Sequence, residues 1–494
     1  MTDMGLYDSR NNRRSFSQTI DWWLIACYFI ITVIGIMNIY ASVHSVDGGN
    51  IFDPSLRSGK QIIWLGISLV AATIILLAIP PRLYEGLSVP IYVLTILLLI
   101  LVIFIGGDVK GSRSWISLGP VKFQPAEISK IATSLMLAKL MSQTDYKIGK
   151  FKDFLITAMI ILVPMLTIVL QKETGSALVY CGFIFMLYRE GLSGWYIVAA
   201  GLAILIFILT LTTSSYFAIF GLYFLLIIYL GLKDGRWILL LSAGIPAAVL
   251  FGMLPWLFGI IGEKIDNPDS FFFLIKPIYF LLAMIAGVIP FIIQSAYRKR
   301  HFYSYIVAAG MAAGILFSFS TDFIFNNILQ DHQRGRIEVL LGLKEDPSGV
   351  GYNVNQSMIA IGSGGLFGKG YLQGTQTTYG FVPEQSTDFI FCTIGEEWGF
   401  IGSAAVILLF VFLIWRIISK AERCKEAFTR IYGYCVASCI FMHLFINIGM
   451  TIGLMPVIGI PLPFISYGGS SLLAFTIMLF IFIALESNEK KFAS

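Results

Sequence analysis

Ser88-Val-Pro-Ile-Tyr-Val-Leu-Thr-Ile-Leu-Leu-Leu-Ile-Leu-Val-Ile-Phe-Ile105 is the stretch that decides the fold. It carries no charge over close to the roughly 20 residues needed to cross about 30 Å of hydrocarbon. Its apolar residues run on without the period-2 alternation of a membrane barrel strand. Wound as a helix it carries no charge on any face, which suits a lipid surrounding and not water.

Outward from it, similar runs lie near 22–41, 61–79, 127–142, 153–170, 174–187, 195–212, 216–231, 237–254, 272–293, 303–320, 389–415, 431–450 and 469–485, about fourteen in all. The composition agrees: 57% of the 494 residues are hydrophobic and 13% charged, against roughly 45–50% and about 25% in a soluble domain. A soluble fold, a disordered chain and a disulfide scaffold are excluded. Most of the six Cys lie in apolar runs and read as small buried hydrophobes. The net charge of +5 is too diffuse to suggest a nucleic-acid partner. The expectation is an all-α polytopic membrane protein.

Residues 1–20 are polar, with Arg10, Arg13 and Arg14 ahead of the run from Trp22 to Ala41. That run is too long for a signal-peptide core, so it reads as an uncleaved first span. An even number of spans puts both termini on one side. About 21 of the 34 Lys and Arg fall in loops on that side, which makes it the cytoplasm. Three segments then face outward, near 106–126, 321–388 and 453–470. Within the long middle loop, Arg336 to Leu343 has the pattern of an interfacial amphipathic helix. Long ordered loops are usually functional, so the chemistry is expected outside.

Polar residues near the ends of spans carry that expectation. Gln124-Pro-Ala-Glu-Ile-Ser-Lys130 opens one run, with Pro suited to a first helical turn and Glu127 and Lys130 sharing a face at i,i+3. A plain capping pair would look the same, but ionisable groups at membrane depth cost roughly 2.5–3.5 kcal/mol each and usually mark a cavity or path. Lys110, Arg113 and Trp115 precede them; the cations could clamp a phosphate, and Trp115 could simply anchor at the interface. Glu384-Gln-Ser-Thr-Asp388 meets Phe389-Ile-Phe391 where the long loop becomes a helix. Ser386, Thr387 or Asp388 could be an N-cap, yet a carboxylate at such an edge is also placed to act as a general base. Ser363 to Gly370 nearly spells a P-loop but lacks its first Gly and its Mg-binding hydroxyl, and reads as a tight backbone wrap near a ligand. The four His show no metal-ligand spacing.

The same segments resemble a known family. Gly111-Ser-Arg-Ser-Trp-Ile-Ser-Leu-Gly with Phe123-Gln-Pro-Ala-Glu-Ile-Ser-Lys130, Glu384-Gln-Ser-Thr-Asp-Phe-Ile-Phe391, Gly395-Glu-Glu-Trp-Gly-Phe-Ile-Gly402 and Pro461-Leu-Pro-Phe-Ile-Ser-Tyr-Gly-Gly-Ser-Ser471 are similar to the SEDS family, the RodA/FtsW/SpoVE group. The similarity covers roughly 15–190 and 320–490. Gly368-Lys-Gly370, Gly374-Thr-Gln376 and Pro456-Val-Ile-Gly-Ile460 look more like the elongation branch, RodA, than the division branch.

The resemblance implies a peptidoglycan glycosyltransferase that polymerises lipid II at the outer face of a bacterial inner membrane, for elongation and shape. It makes Asp388 the catalytic residue and places Glu127 and Lys130 in a lipid II cavity, with Arg113, Trp115, Gln124, Glu384 and Thr387 as further substrate contacts. It implies a class B penicillin-binding protein and other elongation-complex membrane proteins as partners. No cofactor is expected with certainty; a carboxylate beside a pyrophosphate could recruit Mg or Mn. A lipid II flippase and a non-catalytic scaffold are the rival readings.

Two features depart from the family pattern. Gln171-Lys-Glu-Thr-Gly-Ser-Ala177 has Lys172-Glu173 where Pro-Asp is usual. The family has about ten spans, so a block of about four is inserted. The organisation expected is a cytoplasmic tail at 1–20, a membrane core at 21–190, an inserted block at 191–302, a second core at 303–486 containing the extracytoplasmic loop 321–388, and a tail at 487–494.

Overall fold

The computed structural model describes residues 19–47, 49–109, 112–118, 121–234, 245–263, 276–299, 302–329, 331–344 and 351–492. Lys110, raised above as a phosphate contact, lies outside them. The chain separates into two compact units, one of residues 1–193 with 346–494 and the other of 194–345.

The first unit opens with α1 (Trp22–Asp47), α2 (Arg57–Leu77) and α3 (Arg82–Ile105). A small antiparallel sheet follows, made of β1 (Gly107–Val109), β2 (Ser112–Leu118) and β3 (Val121–Phe123) in that order. Gly107 pairs with Trp115, and Ile116 with Phe123. The sheet departs from the all-helical expectation. Its signal was the alternation within β2, where Ser112 and Ser114 are buried and Arg113 between them is exposed.

α4 (Pro125–Met141) and α5 (Phe151–Leu170) come next. The apolar run at 174–187 is a broken rod: α6 (Thr174–Val179), a 3₁₀ turn at Tyr180–Gly182 and α7 (Phe183–Arg189). The second unit holds α8 (Trp195–Thr212), α9 (Ser215–Asp234), α10 (Ile245–Glu263), α11 (Pro277–Lys299), α12 (Phe302–Asn327) and α13 (Asp331–Leu340). The first unit resumes with α14 (Tyr352–Ser363), the short α15 (Thr375–Thr378), α16 (Ile390–Arg423), α17 (Ala427–Thr451) and α18 (Gly469–Phe492). α16 is two helices end to end, broken at Gly399 (φ 67°, ψ −160°).

Among the described residues, nine helices are long and apolar enough to cross a membrane, and three further apolar stretches of 10–17 residues lie in α9, α10 and α11. The described part of each of the fourteen runs read from the sequence falls on a helix or on the broken rod; 237–244 and 272–275 lie outside the described residues. The expected amphipathic helix at 336–343 lies earlier, as α13, where Arg334 Nε donates to Glu338 Oε1 at 2.8 Å.

In the first unit α18 packs on α2, α16 on α17, and α17 on α4. Its core runs through Tyr28, Phe183, Phe410, Tyr432, Phe475 and Phe482. Helical hydroxyls satisfy themselves on the preceding turn, as Thr32 does on Tyr28 O and Thr95 on Ile91 O, both at 2.7 Å. The second unit has its own core at Ile206, Ile219, Leu222, Leu281 and Met311.

At one end of the first unit the charges pair off. Asp21 caps α1, accepting from the Trp23 N–H at 3.1 Å, and takes Arg416 and Lys420 at 2.9 and 2.7 Å. Burial alone raises the Asp21 carboxyl, but the hydrogen bonds from Lys420 and Arg416 outweigh it and hold the pKa below its ordinary value. Arg430 grips Glu190 through Nε and Nη2 at 2.9 and 3.0 Å. The polar groups at the other end are arranged differently.

Candidate active site

Pro125 opens α4, where a missing N–H costs nothing. Gln124 before it is extended (φ −111°, ψ 105°) and buried. One turn on, the Lys130 ammonium donates to both oxygens of Glu127 at 2.9 Å, and the two residues are 1% and 2% exposed. His443 of α17 completes the cluster. Its Nε2 lies 2.8 Å from Lys130 Nζ and its Nδ1 3.0 Å from the Pro461 carbonyl. A carbonyl only accepts, so Nδ1 carries the proton, Nε2 accepts from the ammonium, and the ring is neutral. Phe475 covers the ammonium, its ring centroid 4.9 Å from Nζ. Lys130 is thus enclosed, with its N–H groups directed at Glu127 and His443.

The second half is the turn ahead of α16. The N–H groups of Thr387 and Phe389 both donate to Glu384 O, at 3.1 and 3.2 Å, and Glu384 sits at a left-handed φ of 54°. Its carboxylate accepts from the Thr387 hydroxyl at 3.1 Å, so these two residues brace the turn. Asp388 is half-buried beside Gly459, where a Cβ would come within 3.3 Å of Asp388 Oδ2. Gly459 also has φ +74°, so only a glycine meets both demands without strain. Asn447, fully buried on α17, donates from Nδ2 to Asp388 O at 2.8 Å and to Ile460 O at 2.7 Å.

α2 holds the same region from another side. Arg57, an exposed residue, donates to the Ser386 hydroxyl and lies 5.9 Å from the Tyr467 ring centroid. Gln61 Nε2 donates to Ser466 O and its Oε1 accepts from the Gly468 N–H, both at 3.3 Å. The Tyr467 N–H donates to Ser386 O at 2.8 Å. The structure therefore gathers Asp388, the 459–467 loop and the Glu127–Lys130–His443 cluster around the end of α17.

Arg113 and Trp115 stand on β2. Arg113 is exposed and Trp115 half-buried; the Arg113 N–H donates to Gln171 O at 3.0 Å. The unusual Lys172-Glu173 pair adjoins them. Lys172 adopts φ 63°, and Glu173 Oε2 accepts from Ser114 at 2.9 Å. Burial raises the Glu173 pKa against the bonds from Ser114 and Ser112, and the nearby Glu127 charge raises it further. The departure from the family pattern thus keeps a carboxylate in the sheet-to-helix junction.

The Gly-rich 363–378 segment wraps closely on α16. Its backbone encloses Glu396 of α16, which accepts from the N–H groups of Gln376 and Thr377 at 2.9 Å and from Lys369 Nζ at 2.7 Å. A Cβ on Gly368 would lie 2.1 Å from Glu397 O, which accounts for that glycine. Among the described residues no group of three or more His, Cys, Asp or Glu is placed to hold a metal ion.

The FtsW/RodA/SpoVE family model, described as cell cycle protein, matches residues 21–232 and 277–491. The chain belongs to this family. Among its relatives is the peptidoglycan glycosyltransferase MrdB of Escherichia coli strain K12, 30% identical over 84% of this chain and 82% of the relative. The peptidoglycan glycosyltransferase RodA of Treponema pallidum is 29% identical over 95% and 98%. The fold is shared with a solved peptidoglycan synthase complex reported to coordinate polymerization and crosslinking (TM-score 0.58, 22% identity, 96% and 99% covered). It is shared too with Thermus thermophilus RodA (TM-score 0.52, 21% identity, 95% and 97% covered). The family model leaves 233–276 unmatched, inside the second compact unit.

The SEDS motifs point to 123–130, 384–391 and 461–471, but they do not contain His443, Asn447, Arg57 or Gln61. The four His lack metal spacing, so that test passes over His443. Its signal is a polar i,i+4 pair with Asn447 inside an apolar run, a sign of the same kind as the i,i+3 pair Glu127 and Lys130.

Proposed function

We propose that this SEDS chain is a peptidoglycan glycosyltransferase that polymerises lipid II at the outer face of a bacterial inner membrane. The observation that carries the reading is Asp388, half-buried at the edge of an apolar helix beside Gly459 and held by Asn447, which lies one turn along α17 from the His443 that meets the buried Lys130–Glu127 pair. Asp388 accepts the proton of the acceptor sugar's 4-hydroxyl as that oxygen attacks the donor's anomeric carbon. The bond from that carbon to undecaprenyl pyrophosphate breaks with inversion, giving the β-1,4 link.

Lys130 is enclosed and paired with Glu127, so the pair is neutral overall and Lys130 makes no direct bond to substrate. Arg57, exposed and two residues from Asp388 across the Ser386 hydrogen bond, is the cation better placed to meet the leaving pyrophosphate. Arg113 on β2 is a second exposed cation for the same charge, with Trp115 beside it at the interface. A divalent cation such as Mg or Mn would come with the pyrophosphate, with Asp388 as its carboxylate ligand; titration with a chelator during polymerisation tests that.

Both termini are assigned to the cytoplasm. The end holding Asp21, Arg416, Lys420 and Arg430 carries the excess of cations expected inside. The relatives' names and the fold shared with a synthase complex support a class B penicillin-binding protein as partner within an elongation complex. The deciding experiment gives lipid II to the purified chain and to Asp388→Asn. Polymer from the wild type alone supports the reading. Transbilayer movement of labelled lipid without polymer would make the chain a flippase.

A further inference from the structure

His443 and Asn447 lie one turn apart on α17 and face the same loop. His443 bonds the Pro461 carbonyl and Asn447 the Ile460 carbonyl, so they hold consecutive peptide units. On its other side each reaches a different part of the site: His443 takes Lys130, and Asn447 takes the main chain of Asp388. The same loop passes beside the Asp388 carboxylate at Gly459, where a Cβ would lie 3.3 Å from Oδ2. We propose that Asn447 and His443 form a positioning clamp, tying the 456–465 loop to Asp388 and to Lys130 and so fixing the direction of the Asp388 carboxylate. The proposal rests on the glycosyl transfer above for its kinetic consequence, but the clamp itself is a matter of geometry.

The donor arithmetic is complete. The Asn447 amide nitrogen has two hydrogens and two carbonyls to receive them, and the neutral His443 ring has one donor and one acceptor, each used. Asp388 stands just ahead of the first residue of α16, so helix hydrogen bonding does not by itself fix its orientation. The Asn447 bond to its carbonyl supplies a fixed point, and the Gly459 backbone leaves room beside the carboxylate. Neither Asn447 nor His443 need touch a reacting atom. Displacement of a reacting group by about 1 Å is enough to cost about 100-fold in rate.

A merely structural polar group on the same helix serves as the control. Tyr432 is fully buried and donates to Met478 O at 3.1 Å, away from the loop. The test uses the full-length purified chain and compares Asn447→Leu, His443→Leu, His443→Gln and Tyr432→Phe with wild type and Asp388→Asn. Two measurements are made: kcat and KM for lipid II polymerisation, and amide hydrogen exchange.

Asn447→Leu is expected to lower kcat about 30–100-fold with KM changed less than about threefold. It should raise exchange in 384–389 and 456–466 together. His443→Leu should lower kcat about tenfold, and His443→Gln, whose amide can accept from Lys130 and donate to Pro461, should recover most of that loss. Tyr432→Phe should lower the melting temperature while leaving kcat and the exchange of both segments unchanged. If Asn447→Leu does not fold, Asn447→Asp, of the same size but without the NH₂ donor, must give the same paired change. The clamp is overturned if neither segment exchanges faster in the Asn447 variants, or if kcat stays at the wild-type value while Asp388→Asn is inactive. Absence of polymer from the wild type would instead defeat the glycosyl-transfer reading, and the exchange data would still decide the clamp.

Discussion

α17 and α8 are both apolar helices of the length that crosses a membrane, yet 78% of the most hydrophobic window of the first is buried and 11% of that of the second. α17 carries His443, Asn447 and Tyr432 within its packed faces, and each finds a partner in another element. α8 offers Thr210, whose hydroxyl meets Ser318 of α12 at 2.9 Å. Its other residues are apolar or only partly covered. The difference shows what a polar group inside an apolar helix requires. It must be surrounded by protein able to satisfy it, and the first unit supplies such surroundings around α17 and α18. Among its described residues, the core of the second unit, 194–345, is apolar.

The sharpest way to break this comparison is at its centre. Asp388→Asn should lower polymerisation about 10³-fold, the scale of a lost general base, with little change in melting temperature. Activity retained by that variant would remove the catalytic distinction between the units. Lys130→Met comes next. It leaves Glu127 charged and buried without its partner, which costs about 3–5 kcal/mol of stability. Adding Glu127→Gln should recover most of the melting temperature but not the activity, separating charge balance from chemistry.

Asp21→Asn addresses the opposite end of the same unit and should cost about 2 kcal/mol at neutral pH, read by thermal unfolding. Because the folded-state pKa of Asp21 lies below its ordinary 3.8, its ionised form contributes stability that is complete above that value. The contribution is lost as pH falls through the folded-state pKa. Wild type and variant should therefore begin to converge in stability below about pH 3.8 and meet once pH has fallen through the folded-state pKa, with the polymerisation rate at neutral pH little affected. The smallest effect belongs to the second unit. Thr210→Val removes one interhelical hydrogen bond, worth about 0.6 kcal/mol in membrane proteins, and should leave kcat unchanged. A large loss of activity there would give the 194–345 unit a part in the reaction.

Much of this was legible in the chain itself. Uncharged runs such as Ser88–Ile105 specify helices because no other unclosed arrangement satisfies the backbone in lipid. Asp388, Glu127 and Lys130 stood out because charge is costly beside such runs. The β1–β3 sheet was harder to see, since strands of three to seven residues between two helices give little pattern. Nothing local to Arg57 indicates that it reaches Ser386, 329 positions away.

The sequence by itself determined the membrane class, the helices and a short list of suspicious charges, because these depend on local hydropathy and on the cost of burying an ion. Only the tertiary structure decided which of those charges are enclosed and which are open. Lys130 is covered by Phe475 and satisfied by Glu127 and His443, whereas Asp388 lies half-open against Gly459. It also decided that α17 joins them, by placing His443 and Asn447 against consecutive carbonyls of one loop. Hydrogen bonds are short and directional, so their partners follow from how helices pack and not from how residues are spaced along the chain.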